Sequence, residues 1–144
     1  METQAGFLIT QIKQIGGRVF DKILQKEGIS EFNGAQGKIL YVLWQHDCIS
    51  IIELSRLTGL ANTTLTSMLD RMEAAELLHR LPDPKDRRKS LIMLTEKSER
   101  LKESYDKVSL KMHDVYFKNF STEEIITFEK YLRRVLNNVK EEMQ

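Results

Sequence analysis

Apolar residues Leu65, Met68, Leu69 and Met72 fall at i, i+3, i+4 and i+7, the spacing of one buried helix edge. The same stretch carries Asn62, Thr63, Thr64, Thr66 and Ser67 on its other side. Such a helix buries one edge and offers water only short hydrogen-bonding side chains. Two apolar runs follow, residues 77–81 and 90–95, separated by Pro82-Asp83-Pro84-Lys85-Asp86-Arg87-Arg88-Lys89. That pattern predicts a β-hairpin with a long basic tip. Upstream, Ile52, Leu54 and Leu57 predict a short helix over 52–58, ended by Gly59. With Thr58-Gly59-Leu60-Ala61 as a tight connection, the spacing is that of a helix-turn-helix.

The flanks are helical too. Residues 3–27 carry Leu8, Ile12, Ile15 and Val19 in a 4-3-4 spacing, close to a heptad seam. Ile9, Phe20, Ile23 and Leu24 widen that stripe, Gly16-Gly17 suggests a bend or close helix contact, and Gly28 stops the helix. Asn33-Gly34 opens a second helix to Gln45, apolar enough through Ile39, Leu40, Val42, Leu43 and Trp44 to lie in the core. Residues 46–50 read as a loop or very short strand. Thr95 is a suitable N-cap for a helix to about Asn119, with Leu101, Tyr105, Val108, Met112 and Val115 along one seam. Ser121 and Glu124 form a capping box for a last helix carrying Ile125, Phe128, Leu132, Val135 and Val139. The expected fold is mainly α: a winged helix-turn-helix with long N- and C-terminal helices forming a dimerisation region. A single domain over 1–144 is expected, with 34–95 as the DNA-binding part and 1–30 and 96–144 as the helical part. Seams around Ile12, Leu101, Val108, Leu132 and Val139 would hold a homodimer.

Composition narrows the class. Hydrophobic residues make up 41% and charged residues 30%, so the chain should fold rather than stay disordered. No apolar run approaches the roughly 20 residues that span a bilayer. The start, Met1-Glu2-Thr3-Gln4, lacks a basic region leading into an apolar core, so no signal peptide, no membrane contact and a cytoplasmic location are expected. Net charge is only +1, yet residues 79–89 hold Arg80, Lys85, Arg87, Arg88 and Lys89 against Asp83 and Asp86. A local basic patch on a near-neutral chain suits site-specific binding of double-stranded DNA better than bulk coating.

In that reading Asn62, Thr63, Thr64, Thr66 and Ser67 face the major groove, where asparagine pairs with adenine and threonine methyls meet thymine methyls. No Lys or Arg lies between Ala61 and Asp70, so an A·T-rich site is expected. Arg87 or Arg88 at the wing tip would enter the minor groove. Asp86 cannot approach phosphate favourably; its role would be to hold Arg88 through a charge-assisted hydrogen bond. Arg71, Lys85 and Lys89 would touch phosphate.

Other chemistries find little support. There is no glycine-rich phosphate loop, nucleophile elbow or paired-histidine motif, so the chain is not expected to be an enzyme. His46-x-Cys48 has no second ligand pair, and His79 and His113 lie elsewhere; no metal and no cofactor are expected. Cys48, the single cysteine, reads as a small buried hydrophobe. The rival functional reading is a winged-helix module that docks on protein without binding DNA.

Thr63-Thr64-Leu65-Thr66, Asp70-Arg71-Met72-Glu73, Asp83-Pro84-Lys85-Asp86-Arg87-Arg88 and Leu94-Thr95 resemble the multiple-antibiotic-resistance regulator (MarR) family. The Asp-x-Arg of that family's wing matches Asp86 and Arg88, which favours Arg88 over Arg87 for the minor groove. The resemblance covers the whole chain and implies a homodimeric transcriptional regulator. It also implies a repressor released by a small aromatic effector bound between the dimerisation and DNA-binding regions. Tyr41, Trp44 and His113 would line an effector pocket, or simply belong to the apolar core. The chain departs from the pattern at Glu76, where the family usually has a glycine ending the reading helix.

Overall fold

The computed structural model describes residues 1–144. In chain order the elements are α1 (Ala5–Lys26), α2 (Gly34–Gln45), β1 (Ile49–Ser50), α3 (Ile51–Thr58), α4 (Asn62–Ala74), β2 (Leu78–Asp83), β3 (Asp86–Leu94), α5 (Glu96–Tyr116) and α6 (Thr122–Glu141). The three strands form an antiparallel sheet in the order β1-β3-β2. Two compact units result, Met1–Leu110 and Lys111–Gln144, with the division inside α5.

Local signals set the helix ends of the first unit. Asn33 accepts from the Gln36 N–H at 2.8 Å while Gln36 returns a bond to the Asn33 N–H at 3.1 Å, so two otherwise orphaned donors are satisfied reciprocally. Ser50 caps α3 by accepting from the Glu53 N–H at 3.2 Å. After α1 the chain turns through Gly28 at φ +72°, with Ile29 N–H bonded to Leu24 O and Gly28 N–H to Gln25 O. This is the paired closure in which a left-handed residue lets the last carbonyls find donors.

The same closure ends α4, but with Glu76 at φ +62° in the left-handed position. Glu76 N–H bonds to Glu73 O and Leu77 N–H to Met72 O. A side chain there costs roughly 1–2 kcal/mol, part of which a glycine's extra freedom when unfolded would offset. Glu76→Gly is therefore expected to stabilise the fold by up to about 1 kcal/mol, raising Tm by about 3–5 °C. A thermal melt of the two proteins checks this; an unchanged or lower Tm would show that the Glu76 side chain offsets its own backbone strain.

The core of this unit joins α2, α3, α4 and the sheet: Ile39, Leu40, Leu43, Leu54, Leu65, Leu69, Met72, Leu77, Leu78 and Ile92 are all fully buried. Around Tyr105 of α5 the rings of Phe20, Phe32, Tyr41 and Trp44 pack at centroid distances of 5.2–6.1 Å. Gly37 makes room for them, since a Cβ there would lie 2.9 Å from the Tyr105 ring. Tyr105 and Val108 are consequently core residues, and Leu101 is half-buried. This corrects the expectation that Val108 belongs to an intermolecular seam, since its side chain is already fully buried within one chain. Heptad spacing reports that a face is covered, not what covers it.

The wing also differs from expectation. The turn is only Pro84-Lys85, not a long tip, because pairing runs from Leu78↔Leu94 to Pro82↔Ser90 and resumes at Asp83↔Asp86. Arg87, Arg88 and Lys89 bulge from β3 opposite a single peptide step of β2. Asp83 holds the turn by accepting from the Lys85 N–H at 2.9 Å, the bond that makes aspartate a turn residue. Cys48 is another correction: it is exposed, at φ +58°. Asp47 Oδ1 accepts from the N–H groups of both Cys48 (2.8 Å) and Leu94 (3.0 Å), and this pins a tight turn that leaves the thiol outside.

In the second unit, Ser121 and Glu124 form the expected capping box at 3.1 and 2.8 Å. The preceding turn passes through Asn119 at φ +68°. Phe117 gathers the rings of His113, Tyr116, Phe120 and Phe128 at 5.0–6.3 Å. No residue of α6 is buried.

Candidate nucleic-acid interface

Between α3 and α4 the chain is fixed by side chains of α3. Ser55 Oγ donates to Leu60 O at 2.6 Å, and Thr58 Oγ1 donates to Leu54 O at 2.8 Å while accepting from the Leu60 N–H at 3.2 Å. Gly59 takes the left-handed turn at φ +78°. The N-cap of α4 is Ala61, which supplies no side-chain bond, so the first N–H groups of the helix are left for an external acceptor.

Leu65, Leu69 and Met72 anchor α4 in the core, and Asn62, Thr63, Thr64, Thr66 and Ser67 are all exposed. Thr66 Oγ1 donates to Asn62 O at 2.8 Å. Its proton is thereby committed, and the side chain offers a methyl group and an acceptor. Arg71, further along, is exposed.

At the wing Asp86 holds Arg88 with both carboxylate oxygens. Oδ1 accepts from Arg88 Nε at 3.1 Å and from its N–H at 3.1 Å, and Oδ2 accepts from Nη2 at 3.3 Å. The Arg88 side chain is nonetheless 90% exposed, against 27% for Asp86. The guanidinium beside Asp86 holds its carboxyl below the usual aspartate range. Lys85, Arg87 and Lys89 are exposed around this pair.

Arg80 behaves differently from the other wing cations. Its Nη2 bonds Asp70 Oδ1, and its main-chain N–H donates to Glu73 Oε2 at 3.0 Å. The free positive charge of the wing is therefore smaller than the run of cations over 79–89 implies. The signal available in sequence was a pair of acids at i and i+3 on one helix with a cation on the next strand.

The far end of α4 is clasped by α5. Thr95 Oγ1 donates to Glu76 O at 2.8 Å, Lys97 Nζ to Ala75 O at 2.9 Å, and buried Ser98 Oγ to Leu77 O. Ser98 O in turn accepts from Trp44 Nε1 at 3.2 Å. Local spacing predicts only the Thr95 cap of α5, in which Oγ1 accepts from the Ser98 N–H at 3.2 Å; the bonds to the end of α4 join residues far apart in the chain.

Of the residues considered for an effector, Tyr41 and Trp44 are brought together against Tyr105. His113 lies in the second unit, 3.6 Å from Asp114, with its ring tilted 57° against that of Phe117. No group of three or more His, Cys, Asp or Glu side chains is placed to hold a metal ion. No helix is long and apolar enough to cross a membrane.

Comparison with known proteins gives a consistent result. A family profile described as the MarR family matches residues 32–90. The multiple antibiotic resistance protein MarR of Escherichia coli (strain K12) is 31% identical over 132 residues, covering 91% of this chain and 90% of that protein. The uncharacterized HTH-type transcriptional regulator YsmB of Bacillus subtilis (strain 168) is 37% identical over 99 residues, covering 68% of this chain and 67% of its own. Among solved structures, a cysteine-to-serine mutant of Escherichia coli MarR complexed with operator DNA superposes with a TM-score of 0.81 at 30% identity, covering 91% of this chain and 92% of that one.

Proposed function

Because the chain belongs to the MarR family and is a DNA-binding transcriptional regulator, we propose that it binds an inverted-repeat operator as a homodimer and represses from there. The exposed row Asn62, Thr63, Thr64, Thr66 and Ser67 reads major-groove edges, and Arg88 enters the neighbouring minor groove. Arg71, Lys85 and Lys89 contact phosphate and set orientation rather than sequence. The observation that carries this reading is the pairing of Arg88 with Asp86: the guanidinium is oriented by two bonds to that carboxylate, which also accepts the Arg88 main-chain N–H, yet the side chain is 90% exposed. A side chain fixed in direction and open to solvent loses little entropy on entering a narrow groove. Release by a small aromatic effector belongs to the same reading, and half-exposed Tyr41, already packed on Tyr105, offers it a stacking face. The protein acts where the chromosome is, in the cytoplasm.

Selection from random duplex DNA tests this. The expected product is an A·T-rich inverted repeat with half-site centres about 10–10.5 bp apart or a multiple of that, since a two-fold dimer imposes its symmetry on the site. A pool with no enriched sequence, or an enriched site without a dyad, would overturn it.

A further inference from the structure

Arg80 lies mid-strand on β2, paired across to Ile92, and its side chain is only 22% exposed. Three ties bind it to α4. Nη2 reaches Asp70 Oδ1, Nε lies 3.5 Å from Glu73 Oε1, and the main-chain N–H donates to Glu73 Oε2 at 3.0 Å. Nε itself is buried and makes no hydrogen bond of its own, so moving either carboxylate away would strand part of a charge out of water.

We propose that Arg80 is a positioning residue, which fixes the wing on the reading helix so that both meet the duplex in register. The proposal rests on the DNA-binding reading above. Charge argues for this role over a phosphate contact. Two carboxylates surround one guanidinium, so the cluster carries a net negative charge and repels a phosphate. Arg88 shows the contrast, with one carboxylate and an exposed guanidinium on the same hairpin. Geometry argues the same way. Asp70 and Glu73 are one turn apart on α4, and a planar fork spans two such acceptors where a lysine ammonium acts as a single point. The covalent link between α4 and β2 is a three-residue turn containing strained Glu76. Arg80 is a second, non-covalent link, placed past that turn.

The test measures affinities of the full-length parent, Arg80→Gln, Arg80→Lys, Glu73→Gln and the Arg80→Gln/Glu73→Gln double variant. Three duplexes are used: the selected operator, one with G·C pairs under the wing, and one altered under α4. All are titrated across a salt series, well below each variant's melting temperature. The parent is expected to discriminate by about fivefold or more at each position. Arg80→Gln is expected to keep the α4 discrimination, to fall below about twofold under the wing, and to leave the salt slope unchanged. Arg80→Lys should fall between. Glu73→Gln should lose wing discrimination although it removes a negative charge near DNA, and the double variant should be no worse than Arg80→Gln, because the two act as one unit. If Arg80→Gln keeps both discriminations and lowers the salt slope by about 1, Arg80 is a phosphate contact. If it only lowers Tm, Arg80 serves stability alone. Either result overturns the positioning role. A parent that discriminates at neither position overturns the DNA reading instead.

Discussion

Val135→Glu is expected to yield a folded monomer that binds the operator about 10²–10⁴-fold more weakly than the parent, the advantage lost when two linked half-site contacts become one. Leu132, Val135, Leu136 and Val139 are 42%, 46%, 50% and 58% exposed at the i, i+3, i+4, i+7 spacing of one helix face. On α1, Leu8, Ile12 and Ile15 are 47–50% exposed in a similar row. Isolated apolar residues on a surface mean little, but contiguous stripes of this size mark an interaction site. Under the proposed reading the occupant is a second copy of the chain, because paired half-sites demand a two-fold protomer pair. A carboxylate buried at such an interface without a partner is strongly unfavourable. Since no residue of α6 is buried in the single chain, the protomer should keep its circular dichroism spectrum. Light scattering at micromolar concentration gives the mass. A dimeric Val135→Glu with parent affinity would remove this face of α6 from the interface.

The second large effect is expected at the wing. Arg88→Ala should weaken operator binding by about 1–3 kcal/mol and abolish preference for A·T pairs beneath the hairpin, since groove width and potential are what a minor-groove arginine reads. Lys85→Ala should weaken all sequences alike and lower the salt slope by about 1, the value for one phosphate contact. Asp86→Ala is the informative variant. On charge alone, losing an acid near DNA tightens binding; if Asp86 orients Arg88 through its three bonds, losing it mimics a partial Arg88→Ala. Tighter binding of Asp86→Ala to A·T- and G·C-flanked sites alike would reduce the wing to a basic patch. The pair also has a definite pH range. The Asp86 pKa is lowered in the fold, so whatever the pair contributes is present above the ordinary aspartate pKa of about 3.9 and lost only as pH falls below it. Titration of Asp86 should therefore leave operator affinity unchanged across neutral pH.

Signals confined to a few residues were legible in the sequence. Asn33, Gly59 and Ser121 each mark a helix boundary through bonds to atoms within a turn, and the α4 edge of Leu65, Leu69 and Met72 is buried as its period requires. Glu76 stood out as a non-glycine where glycine was expected, and it takes the left-handed conformation. What escaped depends on atoms distant in the chain. Val108 reads as part of an intermolecular seam because heptad spacing is the same for a core and an interface. Cys48 was expected inside because the bond from Leu94 to Asp47 joins residues far apart. Arg80 reads as free charge in the sequence because its acids sit on another element. The hairpin tip is shorter than the run of cations predicts, because strand pairing and not cation density decides where the turn closes.

The bulge in β3 gives this protein a place where sequence can change without disturbing the fold. Register in a sheet normally couples neighbours, so that slipping one residue turns every later side chain over. Here Pro82↔Ser90 and Asp83↔Asp86 fix the register on both sides, and Arg87, Arg88 and Lys89 hang between them without opposite numbers. Substitution of these three leaves the ladder and the core as they are. Descendants of a duplicated gene could therefore exchange one operator for another through these positions by single mutations, each intermediate still folding, while the threonine-rich helix continues to require its buried edge.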